Sequence, residues 1–200
     1  MWALPGRAAR SVVDWLFAYG SLLPAEGGAL PDGAVPANLL GWRRSWAVAM
    51  DNSIDLPGYK HYLSADGRRP AVMVCYLDIA EHPGGVVNGA ALAVGADELP
   101  ALDARERNYD RREVTGQLDL SLGGRVWAYV GRRAGRARAR RGRRGRRLAI
   151  ASSYSERVMA GFGLLGQRAR FDALTEPPRA PVADLTVVRR APVAVPRSAR

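Results

Sequence analysis

The chain has 200 residues, of which 48% are apolar, and a formal net charge of +11. This size and apolar content suit one folded domain and exclude a wholly disordered chain. A single cysteine and two histidines exclude an internal disulfide and a cysteine- or histidine-based metal cluster, and the sequence has neither a membrane-spanning apolar run nor a secretory signal.

These exclusions favour a cytoplasmic domain that binds neither a metal nor a membrane. We divide the chain into an N-terminal extension (1–12), a main domain (13–178) and a Pro- and Arg-rich C-terminal tail (179–200). In the first half of the main domain, runs of apolar residues predict four strands. They lie at Asp14–Ala18, Asn38–Met50, Ala71–Ile79 and Val86–Val94.

The second half of the chain carries signals for both helix and strand. Asp97–Arg107 begins with acidic residues and predicts a helix. Glu113–Leu122 alternates strictly between apolar and polar residues, and Gly123-Gly124 separates it from the apolar Val126–Val130, which predicts a β-hairpin. A last short strand is predicted at Leu185–Val188.

Arg132–Arg147 contains ten arginines and no acidic residue, so the rest of the chain is almost neutral. We predict a solvated Arg-rich loop here. After it, Ser153 and Glu156 have the spacing of a capping box at the start of a second helix. The apolar face of this helix is expected to contain Tyr154, Val158, Phe162 and Leu165.

Strands outnumber helices and do not alternate with them. Six or seven strands and two helices predict an α+β domain built on a closed or strongly curved mixed sheet.

Glu106 is the most informative carboxylate of the sequence. If the predicted helix includes Glu106, this residue lies four and seven positions after Leu102 and Leu99, on the face that packs inward. Burial disfavours the charged form of a carboxylate, and a carboxyl group that exchanges its proton readily suits general acid and base catalysis. The alternative is that the helix ends before Glu106, whose side chain then pairs with Arg111 or Arg112.

The segment Tyr19-Gly20-Ser21-Leu22 follows the first predicted strand. Glycine lets the backbone approach a ligand closely, and a turn at this point leaves backbone amides free to bind a carboxylate or to polarise a carbonyl. The alternative is an ordinary turn.

The chain resembles the gamma-glutamylcyclotransferase-like family at three places, which together cover about residues 14–166. Phe17-Ala18-Tyr19-Gly20-Ser21-Leu22 is similar to the signature loop of that family. Val87–Ala90, Leu102–Glu106, Tyr109, Arg111 and Val114 are similar, in that order, to its second motif. Ser153-Tyr154, at the start of the helix that runs to Gly166, is similar to a third.

The resemblance implies a small mixed β-barrel of six to seven strands with flanking helices and a cleft at its mouth. It also implies a reaction, the release of 5-oxoproline and a free amine from a small γ-glutamyl substrate without a cofactor. Glu106 would move protons in this reaction. The γ-glutamyl group would be held by the backbone amides of Tyr19, Gly20, Ser21 and Leu22, and the cleft would be lined by Tyr109 and Tyr154.

Two other functions remain open at this point. One is a barrel that binds a small ligand without turnover, since a fold does not guarantee a reaction. The other is non-specific binding of nucleic acid or an anionic surface through Arg132–Arg147, although no aromatic residues interleave with these arginines.

The segment Asp51–Lys60 either covers the cleft and selects the leaving amine or is inert surface. The leaving group itself ranges from an amino acid to a simple amine or a biosynthetic intermediate.

Overall fold

The computed structural model describes residues 13–24, 28–56 and 59–189. The predicted N-terminal extension and residues 190–200 of the predicted tail lie outside them. The described residues form nine strands and four helices, and none of these helices is both long and apolar enough to cross a membrane. The strands are β1 (Asp14–Ala18), β2 (Val35–Asp51), β3 (His61–Ser64), β4 (Met73–Val94), β5 (Tyr109–Glu113), β6 (Val126–Gly131), β7 (Leu148–Ala151), β8 (Val182–Ala183) and β9 (Leu185–Val188). The helices are α1 (Leu99–Arg105), α2 (Arg133–Arg144), α3 (Ser152–Leu164) and α4 (Arg168–Ala173).

The large sheet mixes parallel and antiparallel pairs, which confirms the mixed α+β class. Its strands follow the order β5-β6-β1-β4-β7-β8, and β2 pairs with β4 outside this path. A closed barrel is not confirmed. Among the described residues the ladder of paired strands has two ends. An isolated bridge between Leu39 and Leu118, with backbone hydrogen bonds on either side of it, links β2 to the segment after β5. β3 and β9 form a separate two-stranded ribbon.

The strands predicted at Ala71–Ile79 and Val86–Val94 are one strand, β4. β2 is long enough to pair with both halves, from Val35 opposite Ala91 to Asp51 opposite Met73. The register between β2 and β4 shifts where Pro83-Gly84 lies. Proline has no amide to donate to a ladder and Gly84 has a φ of 75°, so this dipeptide bends the strand without ending it.

The predicted hairpin is wrong in its first strand. β6 pairs with β5, from Tyr109 opposite Gly131 to Glu113 opposite Trp127, and residues 114–125 form the connection. The chain turns directly after β5, where the Gln117 amide donates to the Val114 carbonyl. The alternating pattern in the connection therefore reflects one side packing against the core, where Val114 and Leu118 are buried, and not a continuous strand.

The predicted Arg-rich loop is also wrong, because most of Arg132–Arg147 forms helix α2. Arginine has a high helix propensity. The buried stripe of α2 consists of Gly135, Ala139 and Gly142, whose small size lets the helix approach β2 and β4 closely. No large apolar residue marks this stripe, which is why hydrophobic periodicity did not reveal the helix.

Helix α3 has the predicted face without the predicted cap. Val158 and Phe162 are fully buried. The Ser153 hydroxyl donates to the Leu185 carbonyl (2.6 Å), so the capping box with Glu156 does not form. The predicted strand at Leu185–Val188 is confirmed as β9, and it ties part of the predicted tail to β3.

Gly89→Ala should lower the free energy of unfolding by about 1 to 3 kcal/mol, as overpacking does in well-packed cores. A Cβ at position 89 would lie 2.3 Å from the carbonyl oxygen of Ala18 at the end of β1, and backbone cannot move aside cheaply. Gly123→Ala is the control, since nothing lies within 4 Å of its Cβ position. Urea denaturation measures both variants, and equal stability would contradict the close packing of β4 on β1.

Candidate active site

Glu106 is the residue directly after α1. Its amide donates to the Leu102 carbonyl (2.9 Å) and closes the helix, with φ −91° and ψ 46°. The prediction that Glu106 lies within a helix that runs to Arg107 is therefore wrong. The side chain is nevertheless only 18% exposed, and it ion-pairs with Arg105 (3.4 Å) instead of Arg111 or Arg112.

The two arginines expected near Glu106 have other partners. Arg111 pairs with Asp103 (3.1 Å) and Arg112 with Glu81 (3.0 Å). Glu106 itself takes part in the ion pair with Arg105, whose distance is longer than that of a tight hydrogen-bonded pair.

The 19–22 loop (Tyr19–Leu22) starts where β1 ends. A turn hydrogen bond from the Leu23 amide to the Gly20 carbonyl (3.1 Å) closes it. No hydrogen bond among the described residues uses the amides of Gly20, Ser21 or Leu22 as donors. A Cβ at position 20 would lie 3.6 Å from the Tyr154 hydroxyl. The loop therefore presents backbone donors close to an aromatic wall.

Tyr19 itself points into the protein. Its hydroxyl donates to the Tyr129 carbonyl (2.6 Å), and burial raises its pKa well above the ordinary value. Its carbonyl accepts a hydrogen bond from the buried Arg44 (3.3 Å), which also donates to the carbonyl of Asn88 (2.8 Å). Tyr19 thus fixes the start of the loop, and its hydroxyl is already used.

Tyr109 and Tyr154 both contact the backbone of Leu77 in β4. The Tyr109 hydroxyl donates to the Leu77 carbonyl (2.7 Å), and the Leu77 amide donates to the Tyr154 hydroxyl oxygen (3.3 Å). This is possible because that edge of β4 has no strand partner between the parts that pair with β7 and β1. Burial raises the pKa of both phenols well above the ordinary value, so both remain neutral near pH 7.

Glu106 and the aromatic residues line two adjoining hollows. A cavity of about 300 Å³ extends outward from Glu106, and a recess of about 30 Å³ lies beside the 19–22 loop. Both hollows share four lining residues, which are Ser21, Glu106, Tyr109 and Tyr154. The structure thus brings all of the predicted site residues together, from the loop, the end of α1, β5 and α3.

The larger cavity is strongly cationic. Within the described part of the chain, its charged lining residues are one carboxylate, Glu106, and four basic side chains, which are Lys60, Arg105, Arg157 and Arg189. Arg157 donates to the carbonyls of Ser21 (2.9 Å) and Pro24 (2.6 Å), so it also holds the 19–22 loop in place. Among the residues that the structure describes, no group of three or more metal-binding side chains occurs.

Two residues that shape this site, Arg44 and Asn108, were not predicted from the sequence. Arg44 lies on β2 between Trp42 and Trp46, and the period-2 pattern would have placed all three side chains on one buried face. Asn108 receives a hydrogen bond from Arg138 of α2 (2.7 Å) and donates to the Tyr59 hydroxyl (3.0 Å). Nothing in the sequence marks this link from α2 to the cavity.

Comparison with known proteins gives one family match. Residues 16–149 match the model of the family described as "Gamma-glutamyl cyclotransferase, AIG2-like". No curated protein gives a significant match.

Several solved structures are similar. One is described as a gamma-glutamyl cyclotransferase, with a TM-score of 0.50, 16% identity, and coverage of 82% of this chain and 89% of that chain. An uncharacterized protein from Homo sapiens has a TM-score of 0.46 and 18% identity, with 84% and 90% coverage. A gamma-glutamyl cyclotransferase specific to glutathione from yeast has a TM-score of 0.42 and 16% identity, with 60% and 69% coverage. The first of these shows a shared fold.

Proposed function

The chain belongs to the gamma-glutamyl cyclotransferase, AIG2-like family, and we propose that it is an enzyme that converts a small γ-glutamyl compound into 5-oxoproline and a free amine. The observation that carries this proposal is the position of Glu106. Its carboxyl group is mostly shielded from water and lines both the recess beside the 19–22 loop and the larger cavity. A proton carrier at that boundary can reach both nitrogen atoms of the reaction.

The nucleophile is the α-amine of the substrate itself. A bond forms between the α-nitrogen and the γ-carbonyl carbon, which closes the five-membered ring, and the γ-amide C–N bond breaks. Glu106 takes a proton from the α-nitrogen and returns one to the departing amine, so its carboxylate is regenerated. Ring closure within one bound molecule has effective molarities of ~10⁵ to 10⁸ M, so no serine or cysteine nucleophile and no cofactor is required.

The 19–22 loop supplies the second element of catalysis. Negative charge develops on the γ-carbonyl oxygen during attack, and the amides of Gly20, Ser21 and Leu22 have no other acceptor among the described residues. Donors fixed in place for such an oxyanion accelerate acyl transfer by about 10²- to 10³-fold each. In the proposed site Tyr109 and Tyr154 form the wall of the cleft and remain neutral.

The direct test is incubation of the purified protein with a panel of γ-glutamyl compounds, with 5-oxoproline measured by mass spectrometry. The proposal predicts 5-oxoproline and the amine in equal amounts. Saturable binding of a γ-glutamyl compound that is recovered intact would instead support a ligand-binding protein without turnover.

A second candidate function is non-specific binding of a polyanion such as double-stranded DNA. On α2, Arg140, Arg143 and Arg144 are exposed. By contrast, Arg136 is held by the buried Asp78 (2.6 Å) and Arg138 by the Ala49 carbonyl (2.7 Å). The helix is thus anchored by some of its arginines while others face solvent.

The triple variant Arg140→Gln, Arg143→Gln, Arg144→Gln should separate the two functions. If α2 binds DNA, the logarithm of affinity falls linearly with the logarithm of salt concentration, by about 0.9 for each phosphate contact, and the triple variant loses about 3 such contacts. Release of 5-oxoproline should be unchanged, because α2 lies outside the cavity. An unaltered salt dependence would exclude this face of α2 as a DNA-binding surface.

A further inference from the structure

The larger cavity has more positive charge than the γ-glutamyl group can use. That group carries one carboxylate, attached to the carbon that bears the attacking amine. Four basic side chains line the cavity, and Glu106 is the only acidic residue in the described lining. The four cations fall into two sets at different places in the fold.

The first set lies beside the 19–22 loop and Glu106. Arg157 donates to the carbonyls of Ser21 and Pro24, and Arg105 pairs with the carboxyl group of Glu106. The α-amine must reach Glu106 in the proposed reaction, so the α-carboxylate of the substrate belongs at this end.

The second set lies at one end of the β3–β9 ribbon. Lys60 is the residue directly before β3, and Arg189 is the residue directly after β9. The antiparallel register pairs His61 with Val188, so Lys60 and Arg189 occupy the next opposing positions. Two like charges placed opposite each other repel, and no ion pair among the described residues includes either one. An anion bound at the end of the ribbon would relieve this repulsion.

Lys60 is also held toward the cavity by aromatic rings. Its Nζ lies 4.4 Å from the centroid of the Tyr76 ring and 5.9 Å from that of Tyr59. The Tyr59 hydroxyl is already bonded to Asn108 (3.0 Å). The ammonium group is therefore partly desolvated, which strengthens its attraction to an anion.

We infer that Lys60, with Arg189 opposite, binds a carboxylate on the leaving amine, so that the preferred substrates are γ-glutamyl amino acids or peptides and not γ-glutamyl derivatives of uncharged amines. This inference rests on the proposed function and adds the class of leaving group. Lys60 is in this view a specificity-determining residue, and Glu106 remains the proton carrier.

The charge state of Lys60 makes the preference depend on pH. The pKa of Lys60 is lowered to about 8, mainly by burial; Glu106 raises it, and Arg189 and Arg105 contribute to the lowering. Apart from these three charged groups, Lys60 contacts the rings of Tyr59 and Tyr76. The preference for an anionic leaving group should therefore be largest below this pKa and decline as the pH rises through it.

The test compares γ-glutamyl-alanine with γ-glutamyl-isopropylamide, which differ by a carboxylate in place of a methyl group. Lys60→Met should lower the ratio of their kcat/KM values by about tenfold to a hundredfold, the effect of one hydrogen bond between charged groups. Dividing the two values cancels every pH effect that the two substrates share. The ratio in Lys60→Met should not change with pH. Arg68→Met is the control, since its side chain is 84% exposed and lies outside the cavity.

The outcomes separate this inference from the proposed function. Equal losses on both substrates would contradict the inference and place the α-carboxylate at Lys60, while turnover would still support the enzyme. If neither substrate yields 5-oxoproline, the proposed function fails. The affinities of the two compounds, measured by calorimetry, then test the inference. It requires that the unmodified protein binds γ-glutamyl-alanine more tightly than γ-glutamyl-isopropylamide, and that Lys60→Met binds the two compounds with equal affinity.

Discussion

Glu106→Gln should lower kcat for 5-oxoproline release by at least about a hundredfold and leave the fold intact, because one proton transfer by a positioned side chain contributes about 10²- to 10⁴-fold. Glutamine has nearly the same shape and keeps one of the two oxygen atoms, but it cannot accept a proton from the α-nitrogen or return one to the leaving amine. The side chain is 18% exposed and makes one ion pair, with Arg105 at 3.4 Å, so little stability depends on its charge.

A matched control for this variant is Glu81→Gln. Glu81 is 66% exposed and pairs with Arg112 at the surface (3.0 Å), so the same chemical change there should leave kcat unaltered. Circular dichroism and thermal unfolding verify that both variants are folded. Turnover by Glu106→Gln within about threefold of the unmodified protein would remove Glu106 from the mechanism, since this loss is far below the expected range.

Arg44→Ala should lower the free energy of unfolding by about 3 to 5 kcal/mol, the range found when large buried side chains are removed. Arg44 is fully buried. Its guanidinium group lies 4.2 Å and 4.9 Å from the centroids of the Phe171 and Phe162 rings. It donates to the side chain of Asn88 (2.7 Å) and to the carbonyl of Tyr19 (3.3 Å). Removal leaves both a cavity and buried acceptors without a donor.

The neighbouring arginine provides the control for Arg44. Arg43 is 52% exposed and pairs with Glu176 at the surface (3.0 Å), so Arg43→Ala should cost at most about 1 kcal/mol. Urea denaturation of the two variants measures the difference. Equal losses would contradict the assignment of Arg44 as the buried support of the 19–22 loop. A selective loss should be accompanied by a lower kcat, because the Tyr19 carbonyl loses its donor.

Local sequence signals were sufficient to predict the strands and helices that have large apolar side chains in a regular pattern. β1, the core of β2, the face of α3 and β9 were predicted for this reason. Helix α2 was not predicted, because its buried stripe is made of Gly135, Ala139 and Gly142, which lack the bulk that periodicity detects. β4 was predicted as two strands, Ala71–Ile79 and Val86–Val94, yet pairing with the long β2 carries one strand through the bend at Pro83-Gly84.

The residues of the candidate site were proposed from the sequence, whereas their arrangement in space could not be. The resemblance to a known family pointed to Glu106 and the 19–22 loop as candidates. Their proximity depends on the pairing of β1 with β4 and β6, which joins distant parts of the chain. The same limit applies to Lys60 and Arg189. Their positions at one end of the β3–β9 ribbon follow from the register of two strands separated by most of the chain.

The proposed mechanism depends on the claim that the α-amine of the substrate is the nucleophile. Isotope labelling tests this claim most directly. The measurement is the mass of the products of γ-glutamyl-alanine that carries heavy nitrogen at its α-amine, turned over in water containing heavy oxygen. Intramolecular attack beside Glu106 predicts 5-oxoproline that keeps the heavy nitrogen, contains no heavy oxygen and forms with an equal amount of alanine. Glutamate that contains heavy oxygen would show that water is the nucleophile and would contradict the mechanism.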